Sequence, residues 1–399
     1  MKRFGSVLLV LLTAVPGWSA KKVSVEQLRD TLTSMQQAKK SDEEVAAALK
    51  QLELSEEMTR STMNSFVPLV PGRLSTEQVY VLEAQSATLA PPASDLPTTA
   101  APDATGQKAL LDKTADYVSK TYTQHPTLTA AKTTARFQDN VEAAAPSSGM
   151  HGSARDVSVG SAFVSAFQFI HFINSTESRV ASQHGAEQLP SEKDKTPWGA
   201  NKMIALQQPD PNLGNVFKEV QDASTIKWLR WELVNGKATA VYSFEVPKKK
   251  AHFPVEVCCF PNVEQAGTVR FSGTMGTPQM GAPEAPGTGK GNLQTSTDWH
   301  PYKANVPYHG ELFIDPDTGI VVRMITIADL KPTEVVHQQD TRIDYAPVTI
   351  DGTLLVLPVK TVIASEVVPN GDSGSAGKYS VRRTFFTSEY KDFQSGRPH

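Results

Sequence analysis

Cysteine is scarce in this sequence, and its two cysteines, Cys258 and Cys259, are adjacent. Neighbouring residues of a strand point to opposite faces, so an ordinary disulfide between them is excluded, and a vicinal bridge needs a strained backbone. No CxxC pair occurs, so the spacing of a structural zinc site is missing. We interpret the pair as small buried side chains in a strand over 253–260, while a vicinal or an intermolecular disulfide stays open.

The chain also lacks a large excess of either charge, since 39 Lys and Arg face 42 Asp and Glu among 399 residues. This balance gives no electrostatic basis for binding nucleic acid. Hydrophobic residues make up 39% of the chain and charged residues 20%. Such a composition excludes a polytopic membrane protein and a wholly disordered chain. At ~150 residues per domain, the length predicts about two to three structural units.

No apolar run is long enough for a typical membrane span, and the clearest one covers only 7–15. That run is about half of the ~20 residues that a spanning helix needs. Lys2 and Arg3 precede it, and the small residues Ser19 and Ala20 end the segment that follows. The pattern is typical of a secretory signal peptide over 1–20, cleaved near Ala20, with a retained anchor as the alternative. We therefore expect a periplasmic or secreted mature protein without a membrane span.

Apolar residues at helical spacing dominate the next part of the chain. Ser24 is expected to cap a first helix, and Ser41 a second helix with an acidic first turn. Further helices are expected over 55–66 and 75–89, with proline and glycine between them. The sequence thus predicts a helical bundle over 21–90.

A proline-rich linker over 91–106 separates this front from one more expected helix, 107–124. The remainder alternates apolar and polar residues at a period of two, which is typical of strands. Hairpin turns are predicted at Asn235-Gly236, at 315–319 and at Asp351-Gly352. Strands are expected over 133–138, 162–173 (followed by a turn at Asn174-Ser175) and 379–387, with a helix as the alternative for 162–173. The Gly- and Pro-rich segment 273–297 is expected to be a disordered insertion.

These elements predict an α+β protein in which an N-terminal helical bundle precedes a curved antiparallel β-sheet. Sequential hairpins favour a meander that resembles a half-barrel within the β domain, 107–399. Four aromatic side chains are concentrated in one hairpin: Trp228, Trp231, Tyr242 and Phe244. They either fill the core or form a surface for an apolar ligand.

Apparent catalytic motifs have simpler explanations. Gly371-Asp372-Ser373-Gly374 is similar to the nucleophile segment of trypsin-like serine proteases, but no histidine has the upstream setting of that family. The segment Gly287-Thr288-Gly289-Lys290 resembles part of a phosphate-binding loop. However, Gly291 follows the lysine, where such a loop needs Ser or Thr. The nine histidines lack metal-ligand spacing, and Asp315 and Asp317 fit a hairpin turn better than a calcium loop. We predict no catalytic, cofactor-binding or metal-binding residue, and no cofactor.

Several segments resemble a family of exported bacterial proteins that has no established activity. They are Trp228-Leu229-Arg230-Trp231-Glu232, the run 310–319 and Thr133-Thr134-Ala135-Arg136-Phe137. More distantly, the series of hairpins is similar to the half-barrel of periplasmic lipoprotein carriers and their sigma-factor-regulator relatives. That resemblance implies export and a concave sheet, and it is an analogy of fold only.

Three functional hypotheses follow. The first is a non-enzymatic protein that binds a lipid or another apolar ligand on its sheet. The second is an envelope scaffold whose helical bundle recruits a protein partner. The third is an unrecognised hydrolase that uses Ser373.

Overall fold

The computed structural model describes residues 20–139, 170–188, 210–261, 299–331, 336–367 and 382–396. Within these ranges the protein is α+β, with six α-helices and a ten-stranded antiparallel sheet. The helices are α1 Val25–Gln37, α2 Asp42–Leu49, α3 Arg60–Phe66, α4 Arg73–Ser86, α5 Ala104–Lys120 and α6 Leu213–Ala223. The first seven strands are β1 Lys21–Val23, β2 Leu52–Leu54, β3 Leu128–Gln138, β4 His171–Gln183, β5 Ala186–Gln188, β6 Lys227–Val234 and β7 Lys237–Val246. The others are β8 Phe253–Pro261, β9 Trp299–Val306, β10 Tyr308–Ile314, β11 Val321–Ala328, β12 Val336–Ile350, β13 Thr353–Val367 and β14 Arg382–Ser395.

The large sheet has the strand order β5-β4-β3-β14-β13-β12-β11-β10-β7-β6. Most neighbours are consecutive in the chain, as a meander requires, but β3 pairs with the last strand, β14. The sheet is not closed, because β5 and β6 form its two edges. Strands β8 and β9 make a separate two-stranded sheet between β7 and β10 in the chain.

The predicted hairpin turns are confirmed. Asn235 and Gly236 have φ of 51° and 79°, and Asp351 and Gly352 have φ of 50° and 79°. Asn, Asp and Gly tolerate this left-handed region better than other residues do, which explains the tight turns. Between β10 and β11, the Asp317 amide donates to Oδ1 of its turn neighbour Asp315 at 2.9 Å.

Helices cover both faces of the sheet. The α5 face is defined by Tyr242, Met324, Ile343, Ile363 and Phe386, which share one core with α5 and α6. The α4 face is defined by Phe137, Phe313, Arg342, Val362 and Phe385, and Val81 and Ala84 of α4 pack on it. The protein therefore has three layers, with the sheet in the middle.

Helices α1–α4 and a short parallel sheet of β1 and β2 share a second hydrophobic cluster. The predicted caps are confirmed, since Ser24 Oγ accepts from the Gln27 amide and Ser41 Oγ from the Glu44 amide, each at 3.2 Å. Among the helices in the described ranges, none combines the length and the apolar character that a membrane crossing requires.

Two expectations need correction. Asn174 and Ser175 do not turn the chain but lie inside β4, where Arg136 of the adjacent β3 donates to Asn174 Oδ1 at 3.1 Å. This cross-strand contact satisfies a polar residue within a strand. Helix α6 was not expected, although Asn212 caps it.

Other predictions fall outside the described residues: the signal segment up to 19, the strand over 162–169, the insertion 273–297, and Gly291 and Ser373. The backbone of β8 includes Cys258 and Cys259, but their side chains are not described.

Candidate functional site

The structure brings three of the four predicted aromatic side chains together. Trp228 packs edge-on against Tyr242, with ring centroids 5.5 Å apart, and against Trp231 at 5.0 Å. Tyr242 and Phe244 are each only 1% exposed. Trp231 Nε1 donates to the carbonyl of Ala100 at 2.9 Å. The cluster thus holds the proline-rich segment against the edge of the sheet, and its role as a ligand surface stays a prediction.

A wide opening lies on the other face of the sheet. A cleft of about 490 Å³ separates segment 88–96 from strands β6, β7, β10 and β11. We call it the linker cleft. Its volume falls within the range of roughly 300–1,000 Å³ that is usual for small-molecule sites.

Both walls of the linker cleft carry apolar side chains. Leu89 and Leu96, on the linker side, are 37% and 40% exposed. Phe313, Ile325 and Ile327 line the sheet side. Of the described residues, the large hydrophobic side chains with such exposure are Leu89, Leu96, Leu229 and Leu354. Two of these four lie at the mouth of one cleft, so water contact there is unfavourable for the empty protein.

One end of the cleft carries Arg230, whose charge is paired, and Lys227 and Glu245 also line the cleft. The Arg230 guanidinium binds Glu232 Oε2 at 2.6 Å and Glu311 Oε2 at 2.8 Å. Burial acts to lower the pKa of Arg230, but Glu311 and Glu232 outweigh it and raise that pKa. Burial is also the main reason why the pKa of Glu232 is raised. Because this triad is internally satisfied, it offers a ligand little free charge.

Behind the cleft, a buried ionic network fixes the N-terminal segment to the sheet. Arg342 Nη1 lies 2.5 Å from Glu57 Oε1, and Arg323 Nη1 lies 3.2 Å from the same oxygen. Arg323 Nε also lies 2.7 Å from Asp344 Oδ1. Burial opposes ionisation of Asp344, but Arg342 and Arg323 hold its pKa well below the usual range. Through Glu57, which lines the cleft, this network ties the segment after β2 to β11 and β12.

Two of the described histidines and the acidic hairpin turn have structural partners. His252 Nδ1 contacts Glu219 at 3.1 Å, and His309 Nδ1 contacts Asp329 at 2.7 Å. Asp315 Oδ2 pairs with Lys237 at 2.8 Å. Within the residues that the structure describes, no group of three or more His, Cys, Asp or Glu could hold a metal ion.

The linker cleft was not expected from the sequence, because 91–106 was predicted to be only a spacer. The apolar residues Leu89, Pro91, Pro92 and Leu96 are close together in the sequence, and they could have indicated that this segment packs near the sheet. A freely solvated linker has no need for two large aliphatic side chains.

No protein-family model matches the chain, and no curated protein matches it. One solved structure, titled "The complex structure of Pseudomonas aeruginosa MucA/MucB", is similar over 74% of this chain and 100% of that chain, with 9% identity and a TM-score of 0.19. At so low a TM-score the likeness supports no statement about the fold or the function of this protein.

Proposed function

We propose that this is an exported, non-enzymatic protein that binds an apolar ligand, such as a lipid or a single acyl chain, in the linker cleft. In this proposal the large sheet acts as a half-barrel-like platform, and the N-terminal helices form a bundle that closes one side of the cleft. The signal-peptide pattern over 1–20 is the reason to place the protein in the periplasm or outside the cell.

The observation that carries the proposal is the aliphatic surface on both walls of the cleft, next to an arginine whose charge is already paired. Leu89, Leu96 and Ile327 offer aliphatic surface, whereas Arg230 is already bound by two carboxylates. An apolar chain would gain by displacing water from these walls, at ~25 cal/mol per Å² of buried surface. A strongly charged ligand would have to break existing ion pairs.

The alternative is an envelope scaffold in which the helical front recruits a partner protein. The surface of α1–α4 favours it less, because none of the four exposed large hydrophobic side chains of the described residues lies within 25–86. Protein interfaces usually need an apolar centre. A pull-down from envelope extracts with the full mature chain tests this alternative directly.

The first experiment is native mass spectrometry of the mature protein, released gently from an exporting host, followed by lipid extraction of the same sample. A reproducible extra mass that matches an extractable lipid is the expected result. Bare protein mass, together with no uptake of a fluorescent fatty acid or a fluorescent monoacylglycerol, would reject the proposal.

The second experiment locates the ligand with a matched pair of leucine variants. Leu96→Asp places a charge at the mouth of the cleft and is expected to weaken binding by roughly tenfold or more, as desolvating a new charge requires. Leu354→Asp is the control, because Leu354 is 66% exposed and lies on β13 outside the cleft. If Trp228→Ala weakens ligand binding and Leu96→Asp does not, the ligand site lies instead at the aromatic hairpin on the α5 face.

A further inference from the structure

A second, smaller cavity of about 40 Å³ lies on the α5 face, beside the start of β3. We call it the tyrosine chamber, because Tyr122, Tyr345 and Tyr390 line it together with His125 and Asp210. A water needs roughly 10–15 Å³ of such space, so the chamber has room for a group of only a few heavy atoms.

His125 leaves hydrogen-bonding capacity unused at this chamber. Its side chain is 3% exposed, and within the described residues neither Nδ1 nor Nε2 has a hydrogen-bond partner. Burial lowers the pKa of His125, which keeps the ring neutral near pH 7. A neutral imidazole has one donor and one acceptor nitrogen, and buried polar atoms of this kind are normally paired.

Asp210 is the second group with unused capacity. Its Oδ2 accepts from Thr361 Oγ1 at 2.6 Å and from the Tyr390 hydroxyl at 2.8 Å, whereas Oδ1 is buried and has no hydrogen-bond partner among the described residues. The neighbouring Glu187 is neutralised by Lys132, whose Nζ lies 2.7 Å from its carboxylate. Among the described residues, no cationic side chain is paired with Asp210.

The aromatic rings add a negative surface. Tyr122 and Tyr345 meet edge to face, with centroids 6.1 Å apart, and Tyr122 lies 5.1 Å from the His125 ring. Lys132 Nζ already lies 5.1 Å from the centre of the Tyr390 ring. Burial and the carboxylate of Asp210 both raise the pKa of Tyr345 and Tyr390, so these phenols stay neutral. Faces of neutral phenol rings attract cations.

We propose that the tyrosine chamber binds a small alkylammonium cation. Asp210 Oδ1 accepts one N–H of the ammonium group and the free acceptor nitrogen of His125 accepts another, while the tyrosine rings surround the alkyl part. The site lies on the opposite face from the linker cleft and does not depend on the function proposed for that cleft.

The turn between β4 and β5 forms part of the chamber wall through Gly185. Gly185 has φ of 72°, and a Cβ on it would lie 2.4 Å from Tyr122 Cε1. The Tyr122 hydroxyl donates to the Gly185 carbonyl at 3.0 Å, so this tyrosine is held with its ring against the turn. Any other residue at 185 would push the turn and the ring apart.

The test is a titration of the full mature chain with methylammonium chloride against sodium chloride at constant ionic strength. NMR of histidines labelled at Cε1 gives the readout, and His125→Gln identifies the His125 signal. We expect a saturable shift of that signal with a dissociation constant on the order of millimolar, the limit for so few heavy atoms. Asp210→Asn should weaken binding by roughly tenfold or more, because it removes the buried charge.

Asp222→Asn is the matched control, since Asp222 is exposed on α6, and it should leave the titration unchanged. Methanol, a neutral molecule of the same size, should cause no saturable shift. A wild-type response that is absent, linear in concentration, or equal for methanol and methylammonium would overturn the proposal. This comparison holds even if Asp210→Asn fails to fold, and it separates a cation site from a chamber that holds water only.

Discussion

Glu57 and Arg342 form an ion pair with an Oε1 to Nη1 distance of 2.5 Å, between the segment that follows β2 and strand β12. Their side chains are only 4% and 7% exposed. Glu57 also faces Arg323, so it shares with Asp344 the compensation of two buried guanidinium groups. This contact couples the N-terminal segment to the sheet through charge.

Loss of that carboxylate should therefore be costly. We expect Glu57→Gln to lower the free energy of unfolding by about 3 kcal/mol, because it removes one of the two carboxylates nearest the buried Arg323 and Arg342 and leaves Asp344 to compensate both. Urea denaturation followed by circular dichroism measures this. Glu53→Gln is the control: Glu53 pairs with Arg383, but these side chains are 31% and 46% exposed. That change should cost less than about 1 kcal/mol, and equal effects of the two variants would contradict the argument.

Asp340 should make stability depend on pH. Burial raises its pKa from 3.8 to about 6 in the folded protein, although Gln338 and His309 act against this. Between these two pKa values, Asp340 is protonated in the folded state but ionised in the unfolded state. Its contribution to the free energy of unfolding therefore falls as the pH rises from about 4 to about 6.

Asp340→Asn should remove that dependence. Relative to the wild type, the variant should gain about 2.5 kcal/mol between pH 4 and pH 8, since each pKa unit corresponds to ~1.4 kcal/mol and part of the effect is already present at pH 4. Urea unfolding at the two pH values gives the difference. As a control, Asp222→Asn on the surface of α6 should change the free energy of unfolding by the same amount at both pH values. If the effect of Asp340→Asn on the free energy of unfolding were also independent of pH, the raised pKa would be refuted.

Two glycines with left-handed backbones provide a test of the packing around Tyr122. Gly236 has φ of 79° and an open space where a Cβ would go, whereas a Cβ on Gly185 would overlap the Tyr122 ring. Gly236→Ala should cost about 1–2 kcal/mol from backbone strain alone. Gly185→Ala should cost a further 1–3 kcal/mol, roughly, from overpacking. Thermal unfolding of the two variants side by side measures the difference, and similar values would mean that the turn relaxes freely.

Local signals predicted the local structure well. Asn235-Gly236 and Asp351-Gly352 set their hairpins because the turn residues themselves adopt the required backbone. The helix caps at Ser24 and Ser41 are equally local. Each serine hydroxyl accepts from the backbone amide three residues later, so the signal lies within four residues of sequence. Helix α6 carried a similar signal in Asn212, Val216, Phe217 and Val220, but Gly214 within it obscured the pattern.

The candidate sites depended on tertiary packing and could not be predicted in the same way. Alternation in β6 is typical of a strand with one solvent face, yet Glu232 on the polar side is only 1% exposed. The segment that contains Glu57 covers that face, and ion pairs make its burial tolerable. Likewise, His125 and Asp210 are far apart in the chain, and no spacing rule joins them. Periodicity identifies which residues share a face but not what lies over that face.

The pairing of β3 with β14 has a consequence for how the chain is assembled. Residues Leu128–Gln138 cannot obtain this neighbour until Arg382–Ser395 have been made. Contacts between such distant parts of a chain form slowly. Until then β3 and β13 each present an unpaired strand edge, which is the kind of surface that recruits other chains into aggregates. A protein truncated before β14 would keep both edges permanently, at the centre of what is otherwise a continuous sheet.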